Sequence, residues 1–303
     1  MIPFLFIDTL GGCHDVMGRE WQFWAGEGCV VVKDGPVVAM LSGLARQLDV
    51  NFLIPRTDGV TAADVKSFAP LLEQLGDERV IFGSLNRSKD AGLPVVQIPG
   101  DDWLYENGQH LASGKLRCYR ELLNFETPFE AKDARLYWVG GFSGEGRRWR
   151  LVERLKEEPG TLVRMALRWS ESESRQTFIE KHPSLVVPIQ PLSDWGRYQK
   201  LLSVDGNGVG GNSTLNALLD VVYVFHGVLQ PMWMRSAEEG VHYLRIDEDF
   251  TNLESVLAEL DDPTRCQSLR NALRTFMQDS IRPENVRASV ERDVCECLTR
   301  MGW

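Results

Sequence analysis

Short apolar runs and helical stripes alternate along the chain. Leu5-Phe6-Ile7, Val30-Val31-Val32, Asn51-Phe52-Leu53-Ile54, Val80-Ile81-Phe82 and the run 94–98 have the length and composition of strands. Between them, Val38, Leu41, Leu44, Ala45 and Leu48 share one side of a helix over 37–48. Thr61-Ala62-Ala63-Asp64 resembles a capping box with Asp in place of Glu and opens a helix to about Leu75. The second half repeats the rhythm, with strands over 136–139, 162–167, 201–204, 221–225 and 242–246. Helices are predicted over 147–157 and 214–219, after the capping box Thr251-Asn252-Leu253-Glu254, and from the proline of Asp262-Pro263. A last helix starts at Pro283, with Val286, Val290, Val294, Cys297 and Met301 as its apolar stripe.

This alternation predicts the α/β class, with parallel sheets covered by helices on both faces. No repeat is visible, and 303 residues suit two domains better than one. The polar stretch 127–132 marks the boundary, which gives domains over 1–130 and 131–282 and a C-terminal helix over 283–303 that could fold back on the first domain. Hydrophobic residues at 43% and charged residues at 25% describe a soluble globular chain, and no apolar run is long enough to cross a bilayer. The apolar start reaches Asp8 too soon for a signal peptide. Six cysteines without a Cys-x-x-Cys pair then imply reduced thiols and a cytoplasmic protein. A net charge of −10 argues against nucleic acid or anionic lipid as partner.

The strand 201–204 runs into Asp205-Gly206-Asn207-Gly208-Val209-Gly210-Gly211, followed by Asn212-Ser213 and a helix. Gly206, Gly208 and Gly211 have the spacing G-x-G-x-x-G. Glycines let the backbone approach a ligand, and the helix that follows aims N–H groups and the positive end of its dipole at the turn. A diphosphate suits that place; a plain strand-to-helix turn is the alternative. The same spacing serves dinucleotides, which keeps a nicotinamide-dependent oxidoreductase open. That fingerprint expects an acid about 20 residues on, at the end of the next strand. Here that strand ends in His226-Gly227, and the acid is missing.

The stretch from Trp195 and Tyr198 through Asp205-Gly206-Asn207, Val224-Phe225-His226 and His242-Tyr243 resembles glycosyltransferase family 90. That family includes protein O-glucosyltransferases and O-xylosyltransferases, capsule xylosyltransferases and lipopolysaccharide-modifying enzymes. Upstream, Thr127-Pro128-Phe129-Glu130-Ala131-Lys132 is similar to the family's Pro-Trp-x-x-Lys segment, and Tyr137-Trp138-Val139-Gly140-Gly141 to its aromatic-Arg-Gly-Ser turn. Arg147 stands where the family keeps an arginine on the donor phosphates, and the strand ending in Arg56-Thr57-Asp58-Gly59 is similar to the one carrying its catalytic aspartate. The resemblance spans roughly 45–260. It implies a GT-B fold, two Rossmann-like domains facing across a cleft, and an inverting, metal-independent transfer of a glucose- or xylose-type sugar from a nucleotide sugar, usually UDP-linked, to a glycan or glycoconjugate hydroxyl. Two departures are plain: Val139-Gly140-Gly141 lacks the family's arginine and serine, with Ser143 offering a hydroxyl nearby, and Gly211-Asn212-Ser213 stands where many relatives have Ser-aromatic-Arg. The lost arginines weaken the expected grip on a diphosphate and leave a catalytically degenerate, glycan-binding member as a further alternative.

The expected site follows. Asp58 is the candidate base, against a simple Asp-Gly turn. Gly140, Gly141, Ser143, Arg147, Asp205, Gly206, Asn207, Gly208, Gly210, Gly211, Asn212, Ser213 and His242 are the candidate donor contacts. Arg148 reads as a solvent-facing neighbour, and His242 equally as a structural histidine. Asp247-Glu248-Asp249 imitates the Asp-x-Asp of metal-dependent transferases but lies at a helix start, where acids are favoured anyway. The nucleotide sugar is a co-substrate, and no cofactor or metal is expected.

Overall fold

The computed structural model describes residues 5–7, 13–15, 20–21, 36–54, 66, 68–76, 79–84, 94–97, 127–142, 146–167, 173–188, 190, 192–206, 213–280 and 282–303. The chain divides into two compact units, Met1–His110 with Arg282–Trp303, and Leu111–Ile281, where the sequence suggests a boundary at 127–132. Each unit holds a six-stranded sheet. No helix among the described residues is long and apolar enough to cross a membrane.

In the first unit the strands are β1 (Leu5–Ile7), β2 (Cys13–Asp15), β3 (Glu20–Trp21), β4 (Asn51–Ile54), β5 (Val80–Ser84) and β6 (Val95–Gln97), in the order β3-β2-β1-β4-β5-β6. β1, β4, β5 and β6 are parallel. The expectation of wholly parallel sheets is corrected at one edge, where β2 runs antiparallel to β1 and β3 to β2. Residues 8–12 and 16–19 are too few for a parallel crossover, which needs about a dozen residues or more. Helix α1 (Pro36–Leu48) buries Leu41, Leu44 and Ala45 of the predicted stripe and half-buries Leu48, while the Val38 side chain lies outside the described residues. Helix α2 (Ala69–Leu75) follows β4; the Val30-Val31-Val32 run and the Thr61 capping segment lie outside the described residues.

The C-terminal helix (Pro283–Met301) belongs to this first unit. It buries Val286, Val290, Val294 and Cys297 and leaves Cys295 exposed, as the i, i+4, i+8, i+11 spacing requires. The Cys297 thiol donates to the Val95 carbonyl on β6 at 3.4 Å, and Gln47 of α1 donates to Glu291 at 3.0 Å.

The second unit has β7 (Asp133–Gly140), β8 (Thr161–Leu167), β9 (Val186–Pro188), β10 (Tyr198–Val204), β11 (Val222–His226) and β12 (Leu244–Ile246), all parallel, in the order β12-β11-β10-β7-β8-β9. The helices are α3 (Arg147–Leu155), α4 (Glu173–Lys181), α5 (Ser213–Leu218), α6 (Leu253–Asp261) and α7 (Pro263–Ser280). From β7 the chain builds outward to β9, then restarts at β10 on the other side of β7 and builds outward to β12. This is the doubly wound Rossmann order, and its winding reverses between β7 and β10.

Both sheet faces are covered. Val222 and Val224 of β11 join the core shared by Leu136, Trp138, Leu151, Val163 and Leu244, whereas Tyr223 and Phe225 join that of Ala217, Trp233, Tyr243, Leu273 and Met277. The two-residue alternation of a strand accounts for the split. At the amino end, the Lys132 ammonium donates to the Asp220 carbonyl at 2.7 Å, and the Asp220 carboxylate pairs with Arg270 of α7. Burial lowers the Lys132 pKa, partly opposed by the Asp220 charge. Lys132, the lysine of the Pro-Trp-x-x-Lys-like segment, is thus a staple at the end of the sheet away from the glycine-rich turn.

Leu201 is fully buried on β10, between β7 and β11. Leu201→Ala is expected to destabilise the second unit by about 3 kcal/mol, read as a lower urea midpoint; an unchanged midpoint rules out the central place given to β10.

Candidate functional site at the reversal of the second sheet

The strand ends that flank the reversal carry the predicted residues. β7 closes on Gly140, and Gly141 follows; β10 closes on Val204, and Asp205 and Gly206 follow. A side chain on Gly140 would begin 2.2 Å from the Trp138 ring, so any larger residue there would force that ring to move. Open α/β sheets bind ligands in the crevice outside such carboxyl ends. The structure places Gly140, Gly141, Arg147, Asp205, Gly206 and Ser213 at this end of the sheet. Ser143, Asn207, Gly208, Gly210, Gly211 and Asn212 lie outside the described residues, as does Asp58, which follows β4 in the first unit.

Asp205 is fully buried, and its carboxylate is wholly engaged within the protein. Arg147 Nη1 donates to Oδ1 at 2.5 Å. The backbone N–H groups of Val228 and Leu229 donate to Oδ2 at 2.8 and 2.7 Å. Gly227 makes this approach possible: its φ is +152°, and a Cβ would sit 2.4 Å from Asp205 Cγ. Asp205, expected to touch the donor, instead ties the end of β10 to the start of α3 and to the turn after β11. The reason is electrostatic, since a carboxylate cut off from water must be compensated by the protein itself.

Arg147, with 15% of its side chain exposed, splits its role. Nη1 serves Asp205, Nη2 lies 3.5 Å from the half-exposed Glu248 carboxylate, and buried Nε has no partner among the described residues. Arg148 is not solvent-facing. Its Nε donates to Asp205 O at 3.1 Å, Nη2 to Val204 O at 3.0 Å and Nη1 to Gly141 O at 3.0 Å, while the guanidinium lies 5.7 Å from the Trp138 ring centre. A rigid donor fork thereby clamps both strand ends. The pair of arginines after a glycine-rich turn was the only sequence signal for it.

Ser213 sits at the start of α5, buried, and its hydroxyl meets that of Ser203 on β10 at 2.7 Å. It fastens helix to strand. His242 is not brought to the site. It lies in the turn before β12, at the amino end of the sheet, where Nδ1 accepts the Glu238 N–H at 2.9 Å and the ring leans on Phe276. The two-residue-shorter strand, Leu244–Ile246 rather than 242–246, leaves it outside.

His226 is the histidine at the carboxyl end. It is fully buried, its ring stacks on Phe250 with centroids 5.0 Å apart, and Nδ1 lies 3.2 Å from the Ile246 carbonyl. A carbonyl only accepts, so Nδ1 carries the proton. Burial lowers the ring's pKa, with Arg147 adding to the effect and the Ile246 carbonyl, Asp205 and Glu248 opposing it. The acids of 247–249 have a local use: the Thr251 hydroxyl lies 3.0 Å from both Asp247 Oδ2 and Asp249 Oδ1, and the Thr251 N–H donates to Asp249. Thr251 therefore does not cap α6, whose preceding residue is Asn252. Among the described residues no group of three or more His, Cys, Asp or Glu side chains could hold a metal ion.

No family model matches the sequence, and no curated protein matches it. Among solved structures the chain is similar to a glycosyltransferase from Rickettsia africae ESF-5 (TM-score 0.45, 8% identity, 92% of this chain and 86% of that one). It is also similar to sucrose-phosphate synthase from Thermosynechococcus elongatus (TM-score 0.43, 8% identity, 87% and 72%) and to a UDP-N-acetylglucosamine 2-epimerase (TM-score 0.35, 11% identity, 90% and 80%). The topology of the sheets shows two α/β units, the second of them with the doubly wound Rossmann order.

Asp205→Asn removes the charge that compensates Arg147 and is expected to destabilise the second unit by about 3 kcal/mol, measured by urea unfolding; wild-type stability would mean the pair is not structural. His226 also gives stability a pH slope. Its folded pKa is lowered, so below about 6.5 the unfolded chain binds a proton that the native ring refuses, and stability falls as pH falls. Unfolding between pH 7.5 and 5.5, with and without His226→Phe, reads this directly: the acid-side loss should shrink in the variant.

Proposed function

We propose that the chain is an inverting glycosyltransferase whose second unit binds the diphosphate of a nucleotide sugar outside β7 and β10. The observation that carries this is the reversal of strand order between those two strands, flanked on both sides by glycine-rich turns and overhung by Arg147. The resemblance to family 90 supports a UDP-linked glucose- or xylose-type donor and a glycan or glycoconjugate acceptor, as in lipopolysaccharide modification. In this scheme the acceptor hydroxyl oxygen attacks the anomeric carbon, the bond from that carbon to the diphosphate oxygen breaks, and Asp58 takes the hydroxyl proton. The leaving diphosphate spreads its charge over Arg147 Nη2 and the backbone N–H groups of 206–213, so a metal is not required. The chain acts in the cytoplasm.

A thermal-shift panel of UDP, GDP, CMP and NAD tests the site. Stabilisation by UDP is expected, and stabilisation by NAD alone overturns the proposal in favour of a nicotinamide enzyme. Asp58→Ala should lower UDP-sugar turnover by roughly 100-fold or more while UDP still binds; undiminished turnover removes Asp58 from the base role, and UDP binding without any transfer or hydrolysis points to a glycan-binding protein.

A further inference from the structure

In a strand–glycine turn–helix–strand nucleotide unit the second strand ends in an acid that accepts a hydrogen bond from a ribose hydroxyl, about 20 residues after the first glycine; β10 and β11 form a unit of that spacing in the second half of this sheet rather than the first. Here that position is His226. The residue is fully buried, and two contacts fix its ring: the Ile246 carbonyl holds the proton on Nδ1, and Phe250 lies flat against one face. Nε2 is consequently a bare acceptor, and it has no partner among the described residues. Buried polar atoms are almost always satisfied, so an orphan at the carboxyl end of the sheet, the end where such folds bind ligands, points to a group that arrives with the ligand. Arg147 Nε, a donor, is a second such orphan in the same charged cluster. A hydroxyl is a simple group that donates to a bare ring nitrogen.

We infer that His226 takes over the missing acid's task and accepts a hydrogen bond from a ribose hydroxyl of the bound nucleotide. The inference rests on the nucleotide-binding proposal above and adds which residue reads the sugar ring. A neutral acceptor in this place has a consequence that an acid does not. It holds the hydroxyl without adding negative charge beside the diphosphate, in a site where Asp205 already neutralises part of Arg147. Nε2 is closed off from solvent in this arrangement, so the hydroxyl enters by displacing a neighbour. Glu248 is the neighbour held most loosely, half exposed and 3.5 Å from Arg147 Nη2.

Calorimetric titration of the full chain with UDP, 2′-deoxy-UDP, 3′-deoxy-UDP, 2′-O-methyl-UDP and NAD tests this. Wild type is expected to bind UDP roughly five- to tenfold more tightly than one of the two deoxy forms, the size of one hydrogen bond. If the 2′ hydroxyl is the one read, 2′-O-methyl-UDP, which cannot donate, should bind as weakly as 2′-deoxy-UDP. In His226→Phe the ratio should collapse towards one, with the affinity of the weaker deoxy form unchanged; His226→Gln, which keeps an acceptor, should retain part of it. Equal binding of UDP and both deoxy forms by wild type, or a ratio unchanged in His226→Phe, overturns the inference while leaving the nucleotide proposal standing. Should His226→Phe fail to fold, the ligand series on wild type and His226→Gln decides. Absence of UDP binding by wild type overturns both, unless NAD binds with an affinity that His226→Phe weakens, in which case the ribose contact stands and the sugar-nucleotide proposal falls.

Discussion

A single buried carboxylate organises the ligand end of the second unit. Asp205 comes to rest at the end of a strand with no water around it, and an ion so placed is tolerated only where the protein supplies compensation. The compensation comes from three separate stretches of chain. Arg147 opens α3, Val228 and Leu229 lie beyond β11, and Gly227 omits the side chain that would block them. The strand ends around the reversal are therefore held in one arrangement before any ligand arrives. Arg148 repeats the device with the opposite sign, one guanidinium answering three backbone carbonyls of the same two strand ends. Rigid ends of this kind lower what a ligand must spend in ordering them.

That arrangement alters what the arginines mean for a diphosphate. Counted from sequence, Arg147 and Arg148 are two positive charges beside the proposed phosphate site. In the folded unit, Arg148 is committed to carbonyl oxygens and Arg147 is paired with Asp205 and approached by Glu248. The proposed hold on a phosphate then depends less on net charge than on directed N–H groups at short range.

The parts legible in sequence were those governed by local period. The stripes of α1 and the C-terminal helix, and the alternation in the second half, needed only the spacing of apolar residues. The antiparallel edge of the first sheet was not legible, since strands of two or three residues carry no period to read. Side-chain roles failed for a different reason. Asp205 and Arg147 stand 58 positions apart, and nothing in either neighbourhood announces that each is the other's counter-ion. Thr251-Asn252-Leu253-Glu254 satisfies a local rule for a cap, yet the threonine hydroxyl is drawn to Asp247 and Asp249 and the helix begins after Asn252. A motif states what a residue is able to do; competition among its neighbours decides.

The two histidines of the second half show how topology settles such competition. Both flank apolar runs, and the resemblance drawn from the sequence singles out His242 through the company of Tyr243, with a structural histidine as an equal alternative. Parallel strands, however, give every residue an unambiguous end of the sheet. His242 precedes β12 and lies at the amino end, the end that Lys132, Asp220 and Arg270 lock with charges turned inward. His226 closes β11 and lies with Asp205 and Arg147 at the carboxyl end, its ring tied to the last residue of β12. With the strand order in hand, the direction of the chain through each strand sorts the polar residues into those that close the amino end and those at the carboxyl end, and His226 Nε2 and Arg147 Nε, both without a partner among the described residues, belong to the second group.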